Sequence, residues 1–593
     1  MREPVRGLCL LVCIILLGLP ASALARVEAF DCAVVTEIPP EQCLALVALY
    51  DSTSGATWTN STNWLVTNTP SDWYGVTVEA GVVTRLGLPE NGLSGSLPPE
   101  LGDLVNLTGL YLEHNLLTGS IPHEIGSLTG LRDLHLYDNQ LTGSLPDEIG
   151  NLTNLYILLL SRNQFSGSLP AWLGSLSNLT TLYLNNNLFE GSIPTELSTL
   201  PNLQILLLHS NQLTGDIPPE LSNLTNLKRL TLAYNQLSGN IPSQLGSLGS
   251  LEYLDLSANL LSGEIPGELG SLTNLTGLSL NANGLDGEIP PALGGLMKLN
   301  LLSLADNQLE GGIPAALGEL DLLDYLDLSD NMLNGAIPVV LGDLSRLWYL
   351  DLSNNALSGS IPSELGNLSS LYNLYLDHNL LSGNVPNSLA NLTYLADPGS
   401  YGGDGLALDY NWLDVPDGYP NLENELHVFL LQKDPDWHLH QALEAVVGVD
   451  GGLISGLGGQ FSLAIPAGAL EADTTFTLLP LPDLTPAPDG QLFVGPRFEL
   501  TAADALGAVT EFNQPLTVTI TYFEPDVFGF PEELFGLYYW DNNAWQDAVT
   551  TCAVGEIERD PGSNSFSLPL CHLSEFATLG NPGVYYYLPL IMR

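Results

Sequence analysis

From Val83 to about Leu395, the hydrophobic positions of the chain return every 24 residues. In the second repeat, Leu110 and Leu112 alternate with Tyr111 and Glu113, and this period of two predicts a short strand with its leucines facing inward. A fixed period of this length predicts a solenoid, because one coil cannot bury its own apolar face and must stack on its neighbours.

Polar and turn-forming residues keep the same step. An asparagine follows each predicted strand, where its buried amide can pair the N–H and carbonyl groups that the bend leaves open. Gly119 then allows a turn that a side chain would obstruct, and Pro122 fixes φ on the far wall of the coil. We therefore expect an asparagine ladder. Its members are Asn91, Asn115, Asn139, Asn163, Asn187, Asn211, Asn235, Asn259, Asn283, Asn307, Asn331, Asn355 and Asn379.

The motif from Leu107 to Pro122, L-x-x-L-x-L-x-x-N-x-L-T-G-x-I-P, resembles the plant-type class of the leucine-rich-repeat family. The resemblance covers over half the chain. It implies an α+β solenoid, a right-handed superhelix of about 13 repeats of 24 residues plus a degenerate capping repeat. It also implies that the repeated Leu, Asn, Gly and Pro residues are scaffold.

The repeat breaks after Asn391, and Asn411 stands 32 residues beyond Asn379, which indicates an insertion of eight residues in an atypical last coil. Leu422–Leu431 predicts a capping helix that ends in the segment from Lys433 to Trp437. From about residue 446, short alternating runs separated by Gly and Pro predict an all-β sandwich. The predicted strands are Phe461–Ile465, Thr475–Leu479, Arg497–Leu500, Leu516–Tyr522 and Leu537–Trp540. Gly451-Gly452 followed by Ile465-Pro-Ala-Gly-Ala469 resembles the ZU5-like sandwich modules.

The N-terminal residues predict export. Arg2 and Arg6 precede the apolar run Leu8–Leu19, and Ala23-Leu-Ala25 is a small-residue cleavage site. No later apolar stretch reaches the roughly 18 residues of a membrane span, so we expect a secreted, extracellular or cell-surface protein without a transmembrane segment. The predicted domains are the signal peptide 1–25, an N-terminal cap 26–82, the solenoid 83–414, a capping helix and linker 415–445, the sandwich 446–580 and a tail 581–593.

The cap is predicted from one helical apolar run, Cys43–Tyr50, and from three tryptophans. This segment also resembles the cap that precedes plant-type repeats. We interpret Trp58, Trp64 and Trp73 as core residues rather than as a carbohydrate platform.

Four cysteines remain after the predicted signal peptide, and four cysteines allow three pairings. The local bridges Cys32–Cys43 and Cys552–Cys571 are favoured, because the two pairs lie at opposite ends of a long rod.

Charge excludes one class of partner. The chain has 14 Lys+Arg against 66 Asp+Glu, a formal net charge of −52, so nucleic acid and anionic lipid would be repelled. No acidic run has EF-hand spacing and no Cys/His set has zinc spacing, so we expect neither a metal nor a cofactor.

Outward strand positions are the ones that the scaffold leaves free, and they form the concave face. The early repeats place apolar, aromatic and histidine side chains there, a composition typical of recognition surfaces. The candidate ligand-binding residues are Tyr111, His135, Tyr137, Ile157, Leu159, Tyr183, Ile205, Leu207, His209 and Tyr234. The later repeats place Asp255, Asp306, Asp327, Asp330, Asp351 and Asp377 between Tyr253, Tyr325, Tyr349 and Tyr375. This acidic track would steer a partner that carries positive charge, or it is only the common filler of the repeat family.

One segment suggests chemistry. Tyr539-Trp-Asp541 through Cys571-His-Leu-Ser-Glu-Phe576 resembles the self-cleaving segment of ZU5-related and adhesion-receptor domains. The resemblance implies that Ser574 attacks the preceding carbonyl while His572 removes its proton. The alternative is that this segment is an ordinary packed strand.

These features together predict an exported, non-catalytic recognition protein that binds a protein or peptide on the concave face. The alternative is a structural or adhesive surface protein that attaches through the sandwich and uses the repeats as a spacer. A glycan-degrading enzyme is disfavoured, because no pair of carboxylates stands in a recognisable catalytic setting. The sequence leaves the oligomeric state open.

Overall fold

The structure is a computed structural model. It describes residues 30–398, 405–414, 421–435, 437, 441, 443–456, 461–467, 469–470, 472–480, 498–504, 507–508, 511–521, 535–541, 544–547, 558–560, 565–572 and 590–592. The predicted signal peptide, Cys552 and Ser574 lie outside these residues.

A 15-stranded sheet, the concave sheet, runs the length of the solenoid. Its first two strands pair antiparallel, and every later pair is parallel with a step of 24 residues up to the last coil, as where Leu182 pairs with Leu158 and Leu206. The predicted solenoid is therefore confirmed. The strands are Val76–Glu79, Val82–Gly87, Gly109–Tyr111, Asp133–His135, Ile157–Leu159, Thr181–Tyr183, Ile205–Leu207, Arg229–Thr231, Tyr253–Asp255, Gly277–Ser279, Leu301–Ser303, Tyr325–Asp327, Tyr349–Asp351, Asn373–Tyr375 and Leu406–Ala407.

A second set of parallel strands follows the ladder asparagines and forms what we call the lateral sheets. The sequence analysis did not predict them. The nine-stranded lateral sheet comprises Ser94–Ser96, Leu116–Gly119, Gln140–Gly143, Gln164–Ser168, Leu188–Gly191, Gln212–Asp216, Gln236–Gly239, Leu260–Glu264 and Gly284–Asp286. The five-stranded one comprises Glu310–Gly312, Met332–Gly335, Ala356–Gly359, Leu380–Asn384 and Trp412–Asp414.

Each coil returns along its convex side through a five-residue 3₁₀ helix that begins directly after a proline such as Pro122. Proline suits this position because its φ is already fixed and no ladder hydrogen bond is required of it. The convex helices are Pro99–Asp103, His123–Ser127, Asp147–Asn151, Ala171–Ser175, Thr195–Thr199, Pro219–Asn223, Ser243–Ser247, Gly267–Ser271, Pro291–Gly295, Ala315–Glu319, Val339–Asp343, Ser363–Asn367 and Asn387–Asn391.

The core is one continuous stack of leucines and isoleucines between these walls. In the second coil Leu110, Leu112, Leu117 and Ile125 are fully buried and Ile121 is 3% exposed. Burial of each such side chain contributes about 1.5–3 kcal/mol relative to exposure, so stacking holds the coil in place.

The predicted asparagine ladder is present. Asn115 Oδ1 accepts hydrogen bonds from the N–H groups of Asn91 and Leu93 in the preceding coil, at 3.0 Å each. Its Nδ2 donates to the carbonyls of Leu88 and Leu112, at 2.9 and 3.0 Å. Each amide therefore joins two coils. The residue before it, His114 in this coil, has φ +55°, and the equivalent residue of every coil is left-handed, which turns the chain out of the sheet.

The N-terminal segment packs on the first coil through α1 (Pro40–Ser52). Trp58, Trp64 and Trp73 are buried, as predicted. Trp64 packs edge-to-face against Trp58 and at a tilt against Trp73, at centroid distances of 4.9 and 5.1 Å. The predicted Cys32–Cys43 disulfide is present. Short 3₁₀ helices at Cys32–Val34, Gly55–Thr57 and Pro70–Asp72 complete the segment.

The last coil closes as the sequence indicated. Asn411 Oδ1 accepts from Leu381 N–H at 3.0 Å, so the ladder continues across the insertion. Helix α2 (Glu425–Lys433) begins three residues later than predicted, because the Asn424 side chain caps it by accepting from Leu426 N–H. The Lys433 ammonium donates to the Leu395 carbonyl at 2.7 Å and ties α2 to the solenoid.

Antiparallel strands follow α2, and each of the five predicted strands corresponds to one of them. They form three sheets of four, five and three strands; their assembly into a ZU5-like sandwich stays a prediction. The strands are Leu443–Val447, Gly452–Gly456, Phe461–Ile465, Thr474–Pro480, Phe498–Asp504, Gly507–Ala508, Glu511–Thr521, Phe535–Asp541, Ala544–Asp547, Glu558–Asp560, Ser565–His572 and Leu590–Met592. His572 is the last residue of its strand and pairs with Glu511.

Candidate ligand-binding face

The ten predicted binding residues lie on the concave sheet or directly after its strands. Nine are half-buried, and Tyr234 is 66% exposed. Among the described residues, no other part of the chain buries them, although neighbouring side chains along the sheet cover their flanks.

At the first coils the face is a polar network around Tyr111. The Arg85 guanidinium lies 5.1 Å from the Tyr111 ring centroid, and its Nη2 donates to the Tyr111 hydroxyl at 2.7 Å. That hydroxyl in turn donates to Asp133 Oδ2 at 2.9 Å. Gly109 makes the arrangement possible, because a Cβ there would stand 2.6 Å from the tyrosine ring. Partial burial raises the pKa of Tyr111, so the phenol keeps its proton as a donor.

The next coil adds a histidine and tyrosine cluster. His135 packs edge-on against Tyr111 with centroids 4.8 Å apart, and Tyr137 packs against His114, which pairs with Asp138 at 2.6 Å. Burial lowers the pKa of His135, so its neutral form is favoured at neutral pH.

Two polar atoms of this region are left without a partner among the described residues. His135 Nε2 and Glu113 Oε2 are both buried and accept or donate no hydrogen bond there. Buried polar atoms that find no protein partner are commonly paired by ordered water.

The apolar part of the face covers three adjacent strands. Ile157 and Leu159, then Tyr183, then Ile205 and Leu207 lie in register across the parallel ladder. His209 follows this apolar zone and shares a 2.8 Å hydrogen bond with the Thr231 hydroxyl, while burial lowers its pKa. Tyr234 takes the left-handed position of its coil, at φ +53°, and therefore projects from the end of the strand rather than from its middle.

The later coils differ, because their aspartates turn back onto the backbone. Asp327 Oδ1 accepts from the N–H and the hydroxyl of Ser329, at 3.2 and 2.7 Å, and Asp351 does the same with Ser353 at 3.0 and 2.6 Å. Asp351 is only 8% exposed, and this burial raises its pKa to about 6. The predicted acidic track is thus partly a set of strand-end caps rather than a row of freely exposed carboxylates.

Two further aspartates lie outside these caps, at the left-handed position directly before a ladder asparagine. Asp306 and Asp330 have φ near +53° and are exposed as residues. The Asp330 carboxyl is still partly shielded from water, and this desolvation, followed by the nearby Asp306 charge, raises its pKa. Asp377 instead pairs with His378 at 2.8 Å, and His378 stacks on Tyr410 at 4.2 Å.

Sequence reasoning missed the cationic members of the face, Arg85 and Arg229, and the exposed Trp348. Each stands beside a tyrosine of the next coil or of its own strand. The sequence did contain a signal for the Arg85–Tyr111 contact. The two residues are 26 apart, which is one coil of 24 residues plus the two residues that separate neighbouring outward positions of a strand.

In the part of the chain that the structure describes, no group of three or more His, Cys, Asp or Glu side chains is arranged to hold a metal ion. None of the described helices combines the length and the hydropathy needed to cross a bilayer.

Family comparisons agree with this geometry. A model described as "Leucine-rich repeat region" matches residues 96–241, and one described as "Leucine Rich Repeat" matches residues 250–272, 274–296, 322–344, 346–368 and 370–392. No curated protein matches the chain.

Among solved structures, the plant peptide hormone receptor RGFR1 in complex with RGF2 is 37% identical over 55% of this chain and 55% of its own, with a TM-score of 0.52. The ectodomain of the Arabidopsis receptor kinase HAESA, in complex with an N-terminally extended IDA peptide hormone, is 33% identical over 62% of this chain and 66% of its own, with a TM-score of 0.54. A TDR receptor is 33% identical over 57% and 62%, with a TM-score of 0.51. The chain is a plant-type leucine-rich-repeat protein, and it spans less than two thirds of the length of these receptor chains.

Proposed function

We propose that the chain is an exported, non-catalytic recognition protein that binds a peptide or an extended protein segment along the concave sheet. The observation that carries the proposal is the open concave face, on which the predicted residues stay half-exposed along the whole early half. The two solved receptor complexes named above hold peptide hormones, which supports a ligand of this class.

The chemistry of the early half suits an extended chain. The apolar strands from Ile157 to Leu207 provide area for side chains, while the exposed Arg85 and the half-exposed Tyr111 and Asp133 offer polar groups that a ligand backbone can pair. Such a combination of apolar contacts with a few polar groups fixes both the affinity and the direction of a ligand.

The test is selection from a displayed peptide library with the full exported chain, followed by affinity measurement of the selected peptide. The triple variant Tyr111→Ser, Leu159→Ser, Leu207→Ser removes three large side chains from the concave face. We expect binding at least tenfold weaker, since anchor residues contribute about 1–4 kcal/mol each to the free energy of binding.

A matched control is available on the lateral sheet. Leu116, Leu188 and Leu260 are 51, 46 and 65% exposed, and their triple Ser variant should bind as the parent does. Equal losses for both variants, or full binding by the concave variant, would contradict the proposal. Circular dichroism and melting temperature confirm that each variant is folded.

A second candidate is adhesion through the C-terminal strands. Val446, Val449 and Leu453 are apolar and 68, 47 and 67% exposed, which favours a contact surface there. If adhesion is the function, Val446→Ser with Leu453→Ser will reduce attachment of the protein to its native surface while peptide capture is unchanged.

A further inference from the structure

Four aromatic rings form a continuous surface on the later coils, which we call the aromatic platform: Tyr325, Trp348, Tyr349 and Tyr375. Tyr325 and Tyr349 stack with centroids 4.4 Å apart and planes 8° from parallel. Trp348 lies 5.8 Å from both rings and is 45% exposed, and Tyr375 packs edge-on against Tyr349.

The hydroxyls of the stacked pair are engaged by carboxylates. Tyr325 Oη donates to Asp327 Oδ2 at 3.1 Å, and Tyr349 Oη donates to Asp351 Oδ2 at 3.0 Å. A phenol that donates to a carboxylate gains electron density in its ring, so the ring face becomes more attractive to a cation.

The chain itself shows what such a unit binds. Tyr111, whose hydroxyl also donates to a carboxylate, is covered by the guanidinium of Arg85 from the preceding coil. Tyr253 is covered in the same way by Arg229, whose Cζ lies 4.5 Å from the ring centroid.

The platform has no such internal cation within the described residues, where the cation–ring contacts are those of Arg85 and Arg229. Arg346, on the coil that carries Tyr349, instead directs its guanidinium to Asp324, with Nε–Oδ1 and Nη2–Oδ2 distances of 3.1 and 3.2 Å. Asp327, Asp351 and the more exposed Asp330 leave the surroundings negative, so charge complementarity favours a cationic occupant.

We propose that the aromatic platform binds a guanidinium group, supplied by an arginine side chain of the ligand. This inference rests on the proposed peptide-binding function and adds the chemistry of one ligand residue. A guanidinium fits better than an ammonium, because it is planar and weakly hydrated and can lie flat on an accessible ring such as the 45% exposed Trp348.

The spacing of the ligand follows from the coils. Tyr349 lies six coils beyond Ile205, which is about 29 Å at ~4.8 Å per coil. An extended chain advances about 3.4 Å per residue. The arginine therefore stands roughly eight or nine residues from the ligand residue that contacts the apolar strands.

The first experiment uses three synthetic peptides of sequence Gly-X-Gly-X-Gly-X-Gly, with X as arginine, lysine or citrulline, titrated calorimetrically into the full chain. We expect the arginine peptide to bind about five- to tenfold more tightly than the lysine peptide, as a cation–ring contact of about 1 kcal/mol implies. The citrulline peptide should not bind.

The second arm removes the rings and keeps the charge. Tyr325→Leu with Tyr349→Leu should reduce arginine binding to the lysine level, and the exposed Trp348→Ala gives a smaller loss in a variant that keeps the stacked pair. A preference for arginine that survives both variants would overturn the inference, because the net negative charge alone would then explain the binding.

A gain-of-function arm uses the internal precedent. Arg229→Ala uncovers the Tyr253 ring beside Asp255, and we expect it to raise the stoichiometry of the arginine peptide by one site. An unchanged stoichiometry would contradict the assignment of these tyrosines as guanidinium sites.

The two proposals fail separately. Loss of library-peptide binding in the concave triple variant, with full binding in the Tyr325→Leu, Tyr349→Leu variant, would reject the guanidinium site alone. Arginine-peptide binding at the platform without any library-selected ligand would reject the proposed function alone.

Discussion

The two halves of the concave face use the same tyrosine–carboxylate unit and complete it differently. In the first coils the unit of Tyr111 and Asp133 is covered by Arg85 from the same chain. In the later coils Tyr325 and Tyr349 stack on each other and bond to Asp327 and Asp351 instead. The difference shows that the sheet sets where a side chain lies, while the neighbouring coil decides whether its ring is covered.

The scaffold beneath the two halves is the same. Leucines at the inward strand positions are fully buried in both, and the ladder amides keep the same partners within a few tenths of an ångström. Differences in binding between the halves must therefore come from outward positions alone.

The largest effect we predict tests that uniformity. Asn187→Ala in the early half and Asn379→Ala in the later half each leave a buried N–H, that of Phe165 or Leu357, without its acceptor. Each should lower the free energy of unfolding by about 2–4 kcal/mol, measured by urea denaturation. The two losses should agree within about 1 kcal/mol.

The control for this pair is Asn202→Ala. Its amide donates to the Ser177 carbonyl on the exposed convex side, where water can replace it, so the loss should stay below about 1 kcal/mol. Unequal losses for Asn187 and Asn379 would show that the halves differ in their scaffold as well as on their surface.

A pH dependence specific to the later half is the next largest effect. Burial raises the pKa of Asp351 to about 6, so between the unfolded pKa and that value the folded state holds more protons than the unfolded state. Its contribution to stability is thus greatest at low pH and is lost as pH rises towards 6. Relative to Asp351→Asn, the parent should lose about 2–3 kcal/mol between pH 4 and pH 7.

Urea denaturation of both proteins at the two pH values gives this difference directly. The exposed Asp216 of the lateral sheet provides the control, since Asp216→Asn should follow the parent at both pH values. A constant difference between the parent and Asp351→Asn would mean that this carboxylate is not held in a dry environment.

Much of the solenoid could be predicted from spacing alone. Asn115 was predicted as a ladder residue and Asn411 as the matching asparagine of the last coil, and both accept a hydrogen bond from the preceding coil as the bend requires. The buried Trp58, Trp64 and Trp73 were predicted for a similar reason, since an open end needs large apolar cover.

The lateral sheets were missed because Leu117, like the other repeated leucines, was already interpreted as a scaffold residue. Its alternation with the exposed Leu116 and Thr118 is also a strand pattern, but a strand of three to five residues carries little periodic signal by itself.

The details of the face depend on contacts between coils, which the pattern within one repeat does not contain. Asp351 was predicted as an outward acidic residue, and its bonds to Ser353 and Tyr349 are what bury it. The Arg85–Tyr111 contact likewise requires the sheet register before it can be recognised.

The smallest effect we predict compares the two tyrosine hydroxyls themselves. In Tyr349→Phe, the buried Asp351 carboxylate loses a donor that water cannot readily replace, and the loss of unfolding free energy should be about 1–2 kcal/mol. In Tyr111→Phe, the partners Arg85 and Asp133 are exposed or half-exposed, so solvent compensates and the loss should be under about 1 kcal/mol. Urea denaturation at pH 7 orders the two variants. Both substitutions remove one oxygen atom and keep the ring, so the two losses can be compared directly. If Tyr111→Phe loses as much stability as Tyr349→Phe, or more, the later half is no drier than the early half. The contrast between a covered and a stacked tyrosine would then be one of geometry only.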